Sequence, residues 1–452
     1  MQNLFNGTGV HIPEILLPSR DVDLSGWAVI ACDQFTSQPD YWRDTEKKVG
    51  DRPSALRLIF PEIYLKDADS EARIKNINDA MAGYLKEGIL KAQKPGFILV
   101  DRSTPRISSR KGLIIAVDLE CYDYRPGSTS LIRATEGTVL ERIPPRVRIR
   151  ENAPVELPHI MLLIDDPCGT VIEPLFAAAG SFEKLYDFEL MQGGGHIRGW
   201  KIDDRESLGR VADAFHKLAD SNGGRLLFAV GDGNHSLAAA KAHWENVKAK
   251  LAPGWTVPVH PARYALVEVV NVHDEGLAFE PIHRVLFGID GRTVLEEIKS
   301  SAGFCRNIGY RLFDSKEAME AALKEEKEKT HGGAENAGNV GSAEKAPHLI
   351  PFILEGRYGI LTVRNPRSSL EAGTLQDILD SLIKKPEIDY IHGDDVVTKL
   401  GSRKGRMGFY LPAMDKRDLF RTVILDGVLP RKTFSMGEAR EKRYYLECRK
   451  IV

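Results

Sequence analysis

Residues 231 to 236 read Gly-Asp-Gly-Asn-His-Ser, which sets two glycines, a carboxylate, an amide, an imidazole and a hydroxyl side by side. An apolar run at 226 to 230 precedes them and the alanine-rich Leu-Ala-Ala-Ala-Lys follows, so the chain leaves a buried strand and starts a helix within about four residues. The first N–H groups of a helix have no intrahelical partners and carry the positive end of its dipole, which suits a phosphate or a carboxylate. Gly231 and Gly233 would let backbone approach a ligand, Asp232 or Asn234 is placed to cap the helix, and His235 and Ser236 bring a titratable ring and a hydroxyl to its first turn. An ordinary capped turn accounts for the same spacing. The stretch is neither a Walker loop nor a Gly-x-Gly-x-x-Gly fingerprint, and Ser236 has no Gly-x-Ser-x-Gly setting.

A second set of reactive side chains lies in the segment 131 to 152, where Arg133, Glu136, Thr138, Arg142, Arg146, Arg148 and Arg150 fall within eighteen residues. Phosphoryl chemistry needs guanidinium forks for the anion and a carboxylate that takes a proton from a hydroxyl or holds magnesium. Glu136 is the expected base or metal ligand, and Arg133, Arg146 and Arg148 are the expected anion contacts; a solvated charged loop is the plainer reading. Asp33 ends the apolar run WAVIACD and either reaches a site at a sheet edge or caps the next helix. His283 and Arg284 make a substrate contact or a hydrogen-bonded corner, and Lys432 neutralises phosphate charge or stays on the surface. Gly193, Gly194 and Gly195 separate two alternating runs and read as a hairpin turn, not a nucleotide loop. Twelve histidines without a His-x-x-x-His or a His/Cys cluster give no dedicated metal site, though magnesium carried by a nucleotide needs only one or two carboxylates.

The elements that must hold these residues belong to a long chain. With 452 residues, two or three domains are expected. Lys and Arg number 62 against 64 Asp and Glu, a net charge of −2 that offers no general attraction to nucleic acid or anionic lipid. Five scattered cysteines fit a reducing compartment, and no signal-like start or apolar stretch of about 20 residues occurs, so a soluble, cytoplasmic protein with no membrane partner is expected. Strand and helix patterns alternate in mixed order over 1 to 290, and a second α/β region over 291 to 452 contains a stretch at 329 to 346 too poor in large apolar residues to order itself, read as a mobile insertion. The fold class expected is mixed α/β, α+β in places.

Several segments together resemble the domain-of-unknown-function 1015 family. Its motif close to Asp-Gly-His-His-Arg stands here as Asp232, Gly233, Asn234, His235 and Ser236, and VIACDQF, RPSALRLIFPEI, LIRATEGT, EPIHRVL and LPRKTFSMGE follow the family's other segments in the same order. The loop in turn resembles the phosphate-binding loop of the ParB and sulfiredoxin superfamily, which implies a ParB/sulfiredoxin-like core holding ATP or ADP with magnesium at residues 231 to 236. Ser236 stands where that motif has arginine, and replaces a bidentate phosphate contact with one hydroxyl. The resemblance implies a small-molecule kinase acting on a hydroxyl compound such as free serine, with Glu136, His235 and Asp33 catalytic and Arg133, Thr138, Arg146, Arg148, His283, Arg284 and Lys432 on the substrate. A non-catalytic nucleotide or phosphometabolite sensor is the alternative. A ParB-like nucleic-acid-binding protein conflicts with the balanced charge.

Overall fold

The structure is a computed structural model, and it describes residues 1–65, 67–221, 223–251, 260–300, 308–332, 346–430 and 432–452. The expected insertion at 329 to 346 lies, apart from its edges, outside the described residues. The fold is mixed α/β and divides into two compact units: residues 1–278 together with 436–452, and residues 279–435. The boundary therefore falls before the expected 290. The last seventeen residues also leave the second unit, because their strands pair with the first: Tyr444–Tyr445 runs antiparallel to Val29–Ile30, and Arg449–Lys450 antiparallel to Val155–Glu156. Pairing partners this far apart in sequence leave no trace in local patterning.

The first unit is built on a ten-stranded mixed sheet. From one edge its strands are Lys184–Leu190, Gly195–Ile202, Phe97–Ser103, Arg110–Asp118, Tyr264–Asn271, Met161–Ile164, Phe228–Asp232, Ile132–Ala134 and Tyr122–Asp123, with Val10–His11 also paired to Arg110–Asp118. Side chains alternate between two apolar layers, as the pleat requires. Leu113, Ile115 and Val117 join one layer with Phe215, Leu237 and Trp244 from the helices Arg205–Ser221 and Asn234–Lys250. Ile114 and Leu266 join the other with Trp27, Trp42, Ile77 and Tyr445. The glycine run at 193 to 195 turns an antiparallel hairpin, Leu190 opposite Gly195, as its flanking alternation requires. Among the described residues no helix is long and apolar enough to cross a membrane, and Cys32, Cys121, Cys168 and Cys448 are free thiols.

The second unit carries a six-stranded antiparallel sheet in the order Ile308–Phe313, Arg357–Val363, His348–Leu354, Arg406–Phe409, His283–Phe287 and Glu387–Ile391. Leu286, Ile298, Phe352 and Leu375 close its core. His283 and Arg284 are built into this sheet. His283 Nδ1 accepts from the Leu411 amide at 3.0 Å and its Nε2 meets Asp394 Oδ1 at 2.9 Å. Arg284, 1 % exposed, donates to the carbonyls of Ile282 at 2.6 Å and Lys432 at 3.0 Å and lies over the Tyr390 ring. This is the hydrogen-bonded corner, and all three residues belong to the unit that lacks the 231 to 236 loop.

Candidate functional site

Strand directions decide which residues meet the loop. Ile132–Ala134 pairs in parallel with Phe228–Asp232, Val230 opposite Ala134, so both chains leave the sheet at the same edge and residues 135 to 139 emerge beside 232 to 236. Thr135 N donates to Asn234 Oδ1 at 3.2 Å, Thr135 Oγ1 donates to the Val230 carbonyl at 2.6 Å, and Val139 N donates to His235 Nε2 at 3.2 Å. Glu136, half-buried, and Thr138 lie in this span. Thr138 Oγ1 is buried with no hydrogen-bond partner among the described residues, an orphaned hydroxyl beside the loop.

Met161–Ile164 runs antiparallel to Phe228–Asp232, Met161 opposite Asp232, so at this edge it is entering the sheet. The residues just before it, His159 and Ile160, therefore stand at the loop. A third approach comes from Val29–Ile30, whose pairing with Tyr444–Tyr445 and the bond from Ala31 N to the Arg443 carbonyl at 3.0 Å carry Asp33, Lys442 and Tyr445 to the same place.

The resulting contacts form one connected chain. Ser236 Oγ lies 3.3 Å from His159 Nε2, His159 Nδ1 lies 2.6 Å from the Tyr445 hydroxyl, and Asp33 Oδ2 lies 3.7 Å from His159 Nε2. The Cys32 amide donates to the Tyr445 oxygen at 3.2 Å. Burial pushes the Tyr445 phenol well above its ordinary range, so it keeps its proton, which His159 Nδ1 and the Cys32 sulfur are both placed to accept. His159 Nε2 faces Asp33 and Ser236. Burial opposes ionisation of Asp33, but His159, the Gln34 amide at 2.9 Å and Lys442 outweigh it and hold the carboxyl below its ordinary value. Lys442, 12 % exposed, is paired to Asp232 Oδ2 at 3.1 Å.

The loop differs from expectation in how its backbone is fixed. Gly233, at φ +81°, is itself the N-cap, and no side chain caps the helix; Asp232 turns back to accept from the Gly233 amide at 2.9 Å, and Asn234 is held by Thr135. Both glycines answer to protein packing. A Cβ on Gly231 would meet Met436 Sδ at 2.8 Å and Leu163 Cγ at 2.9 Å, and one on Gly233 would meet Ile160 Cα at 3.0 Å. Neither leaves room for a ligand on that side.

The arginine segment is split by its own secondary structure. Arg133 sits on the strand, 8 % exposed, donating to the carbonyls of Ser130 at 2.9 Å and Arg225, and burial lowers its pKa. It faces away from the loop. Residues Ile143–Glu151 form a helix where the plainer reading of the sequence is a solvated charged loop; its two prolines stand in the first turn, where they are tolerated. Arg148 points outward to Glu71 at 3.0 Å, exposed, whereas Arg146 pairs with Glu62 at the wall of a pocket. Ser236, His159, Tyr445, Cys32 and Ile160 line the same pocket. Asp33, Glu136, Thr138 and Arg146 thus gather around the loop, Arg133 and Arg148 do not, and His283, Arg284 and Lys432 belong to the other unit. His159, Lys442 and Tyr445 were not anticipated; His159 precedes a strand at an edge where ligand residues are sought after strands, and the other two reach the site through long-range pairing.

Comparison with known proteins gives a family and a set of distant structures. The model of the family described as "Protein of unknown function (DUF1015)" matches residues 15–382. No curated protein matches this sequence. Among solved structures, a free serine kinase mutant in complex with ADP is 12% identical with a TM-score of 0.38, over 75% of this chain and 92% of that one. A conserved hypothetical protein from Pyrococcus furiosus is 14% identical with a TM-score of 0.33, over 74% and 90%. SbnI with a C-terminal truncation, from Staphylococcus aureus, is 9% identical with a TM-score of 0.33, over 72% and 82%.

Proposed function

We propose a function for this chain, which belongs to the DUF1015 family: it binds a nucleotide, ATP or ADP, by its phosphates at the start of the 234–250 helix and transfers a phosphoryl group to the hydroxyl of a small molecule. One observation carries the reading. An ionised carboxylate, Asp33, stands beside the Ser236–His159 pair at a helix N-terminus that no side chain caps.

The residues present suit a phosphate end. The helix dipole, the Ser236 hydroxyl, the orphaned Thr138 hydroxyl and the Lys442 ammonium are the groups an anion needs, and the sequence resembles the phosphate-binding loop of the ParB and sulfiredoxin superfamily. Among the described residues no three His, Cys, Asp or Glu side chains are placed to hold a metal ion, and magnesium carried by a nucleotide's phosphates needs only one or two carboxylates.

Asp33 takes the role expected for Glu136, because its carboxyl is held charged beside the Ser236–His159 pair. Asp33 accepts the proton of the acceptor hydroxyl, the freed oxygen bonds to the terminal phosphorus, and the bond from that phosphorus to the bridging oxygen breaks, leaving ADP. Lys442 offsets the growing charge, and the His159 imidazole and the Ser236 hydroxyl orient the reacting oxygens.

Titration calorimetry with ADP and ATP, joined to a phosphoryl-transfer assay over small alcohols including serine, tests this. Saturable binding with turnover that Asp33→Asn removes while binding persists supports the reading; absence of nucleotide binding at millimolar concentration overturns it. A non-catalytic nucleotide or phosphometabolite sensor is the second reading, favoured by serine at 236 where the family motif has arginine. Binding without turnover in wild type selects it.

A further inference from the structure

The pocket beside Ser236 and His159 is mostly hydrocarbon. Leu58, Phe60, Met81, Ile149 and Leu157 supply walls far larger than a compact polar amino acid such as serine needs. Its charged features sit on one side. Arg146 and Arg150, one turn apart on the Ile143–Glu151 helix, both reach the lining, paired with Glu62 and Glu156.

These pairs do not balance. Glu156 also accepts from Arg449 Nε at 2.8 Å and from the Leu266 amide at 2.9 Å, and its carboxyl is held below its ordinary value against burial by Arg150 and Arg449. Glu156 is therefore shared between two guanidiniums, and Arg150 has only part of one carboxylate. Arg150 Nε is moreover buried without a hydrogen-bond partner among the described residues, a donor in the lining with nothing to donate to. An apolar enclosure with an unpartnered guanidinium donor at its wall matches an amphipathic monoanion.

We infer that this pocket binds the acceptor, and that the acceptor is a small monocarboxylate with a hydrocarbon body, its carboxylate at Arg150 and Arg146 and its hydroxyl toward Asp33. The placement of the hydroxyl rests on the phosphoryl-transfer reading; the binding of the carboxylate and its chain does not.

The test is titration calorimetry of the full chain with butanoate, hexanoate and octanoate, and with hexan-1-ol as the uncharged probe. Affinity is expected to rise about fourfold per added methylene until the pocket is full, with hexan-1-ol at least about tenfold weaker than hexanoate. Arg150→Gln is expected to bring hexanoate to the level of hexan-1-ol; Glu156 keeps Arg449 and the Leu266 amide, so this variant leaves no orphaned carboxylate. Ala239→Leu, which adds volume to the lining, is expected to end the gain with chain length, and its fold is checked by thermal unfolding. No saturable binding, affinity independent of chain length, or an alcohol that binds as well as the acid overturns the inference; the wild-type series decides this even where a variant fails to fold. ADP titrated alone separates the two proposals: ADP binding with flat alkanoate curves sinks only this one, and alkanoate binding without ADP sinks only the nucleotide reading.

Discussion

Ser236 Oγ lies 3.3 Å from Nε2 of His159, although 77 residues separate them in sequence. The contact exists because one residue stands just past the end of a strand and the other just before the start of its antiparallel neighbour, so the two lie at one edge. Tyr445 and Asp33 extend the contact on either side of the imidazole.

Replacing Asp33 by Asn is expected to lower phosphoryl transfer by about 10²- to 10⁴-fold, the usual range for losing a general base, while nucleotide affinity changes little. Glu136→Gln is the comparison: a larger loss there would return the base to the 135 to 139 span. Because the Asp33 carboxyl is held below its ordinary value of 3.8, the base stays deprotonated down to below that pH, and its own acid limb in a rate profile falls there. An acid limb near pH 6 that disappears in His159→Gln would instead assign the titrating group to the imidazole.

Tyr445→Phe removes the buried hydroxyl that joins the half-buried Cys32 amide to Nδ1 of the buried His159. It is expected to cost about 1 to 3 kcal/mol of unfolding free energy, read from a denaturant midpoint at unchanged slope. A midpoint equal to wild type would mean that His159 is not held from that side.

Gly233→Val places a branched side chain at φ +81° with its Cβ 3.0 Å from Ile160 Cα. A loss of at least about 1 to 2 kcal/mol is expected from the backbone conformation alone. The variant therefore reports stability and ligand binding together, and a binding loss in it counts only alongside a thermal unfolding measurement.

On the hairpin edge, His196 bonds to Asp187 Oδ1 at 2.6 Å and Glu189 Oε1 at 2.8 Å, which raises its pKa above the ordinary 6.5, and its partner Asp187, bonded by Lys184 and His196, is lowered below 3.8. A group with a raised folded pKa contributes fully below its unfolded value and loses that contribution as pH rises through the folded one; a lowered carboxyl contributes above its unfolded value and loses this as pH falls. The cluster is thus most stabilising between about pH 4 and 6.5, weakening above. Thermal midpoints of wild type and His196→Gln are expected to differ more at pH 5.5 than at pH 8.5; an equal difference at both would exclude the titration.

Glu268 sits in the sheet core, 3 % exposed, with Arg443 Nη1 at 3.2 Å and Arg110 Nη2 at 3.8 Å. Glu268→Gln leaves two buried guanidiniums without this charge and is expected to destabilise by about 3 to 5 kcal/mol in denaturant unfolding. A loss under about 1 kcal/mol would mean that Glu447 alone neutralises Arg443.

Local periodicity carried much of this fold. The helix face of Val211, Phe215 and Leu218, the hairpin at 193 to 195, and the strand-to-helix junction at 231 to 236 all follow from spacing that a short window contains. The site was legible only where the same locality held: Asp33, Glu136 and Ser236 lie beside recognisable strand ends. His159 was missed because nothing in LPHIMLL tells whether its strand enters or leaves the sheet at the ligand edge, and Lys442 and Tyr445 because their position depends on pairing with residues 29 and 30. Arg133 misled for the converse reason, since a charged residue amid other arginines gives no sign that its guanidinium is spent on the carbonyls of Ser130 and Arg225.

The strand at 444 to 445 has a consequence for the order of events during synthesis. Asp33 and the 231 to 236 loop leave the ribosome early, but Lys442 and Tyr445 follow only after the whole of 279–435 has been made. A nascent chain shorter than 442 residues lacks both Lys442 and Tyr445. The set of side chains around His159 is therefore complete only when nearly the whole chain has been made.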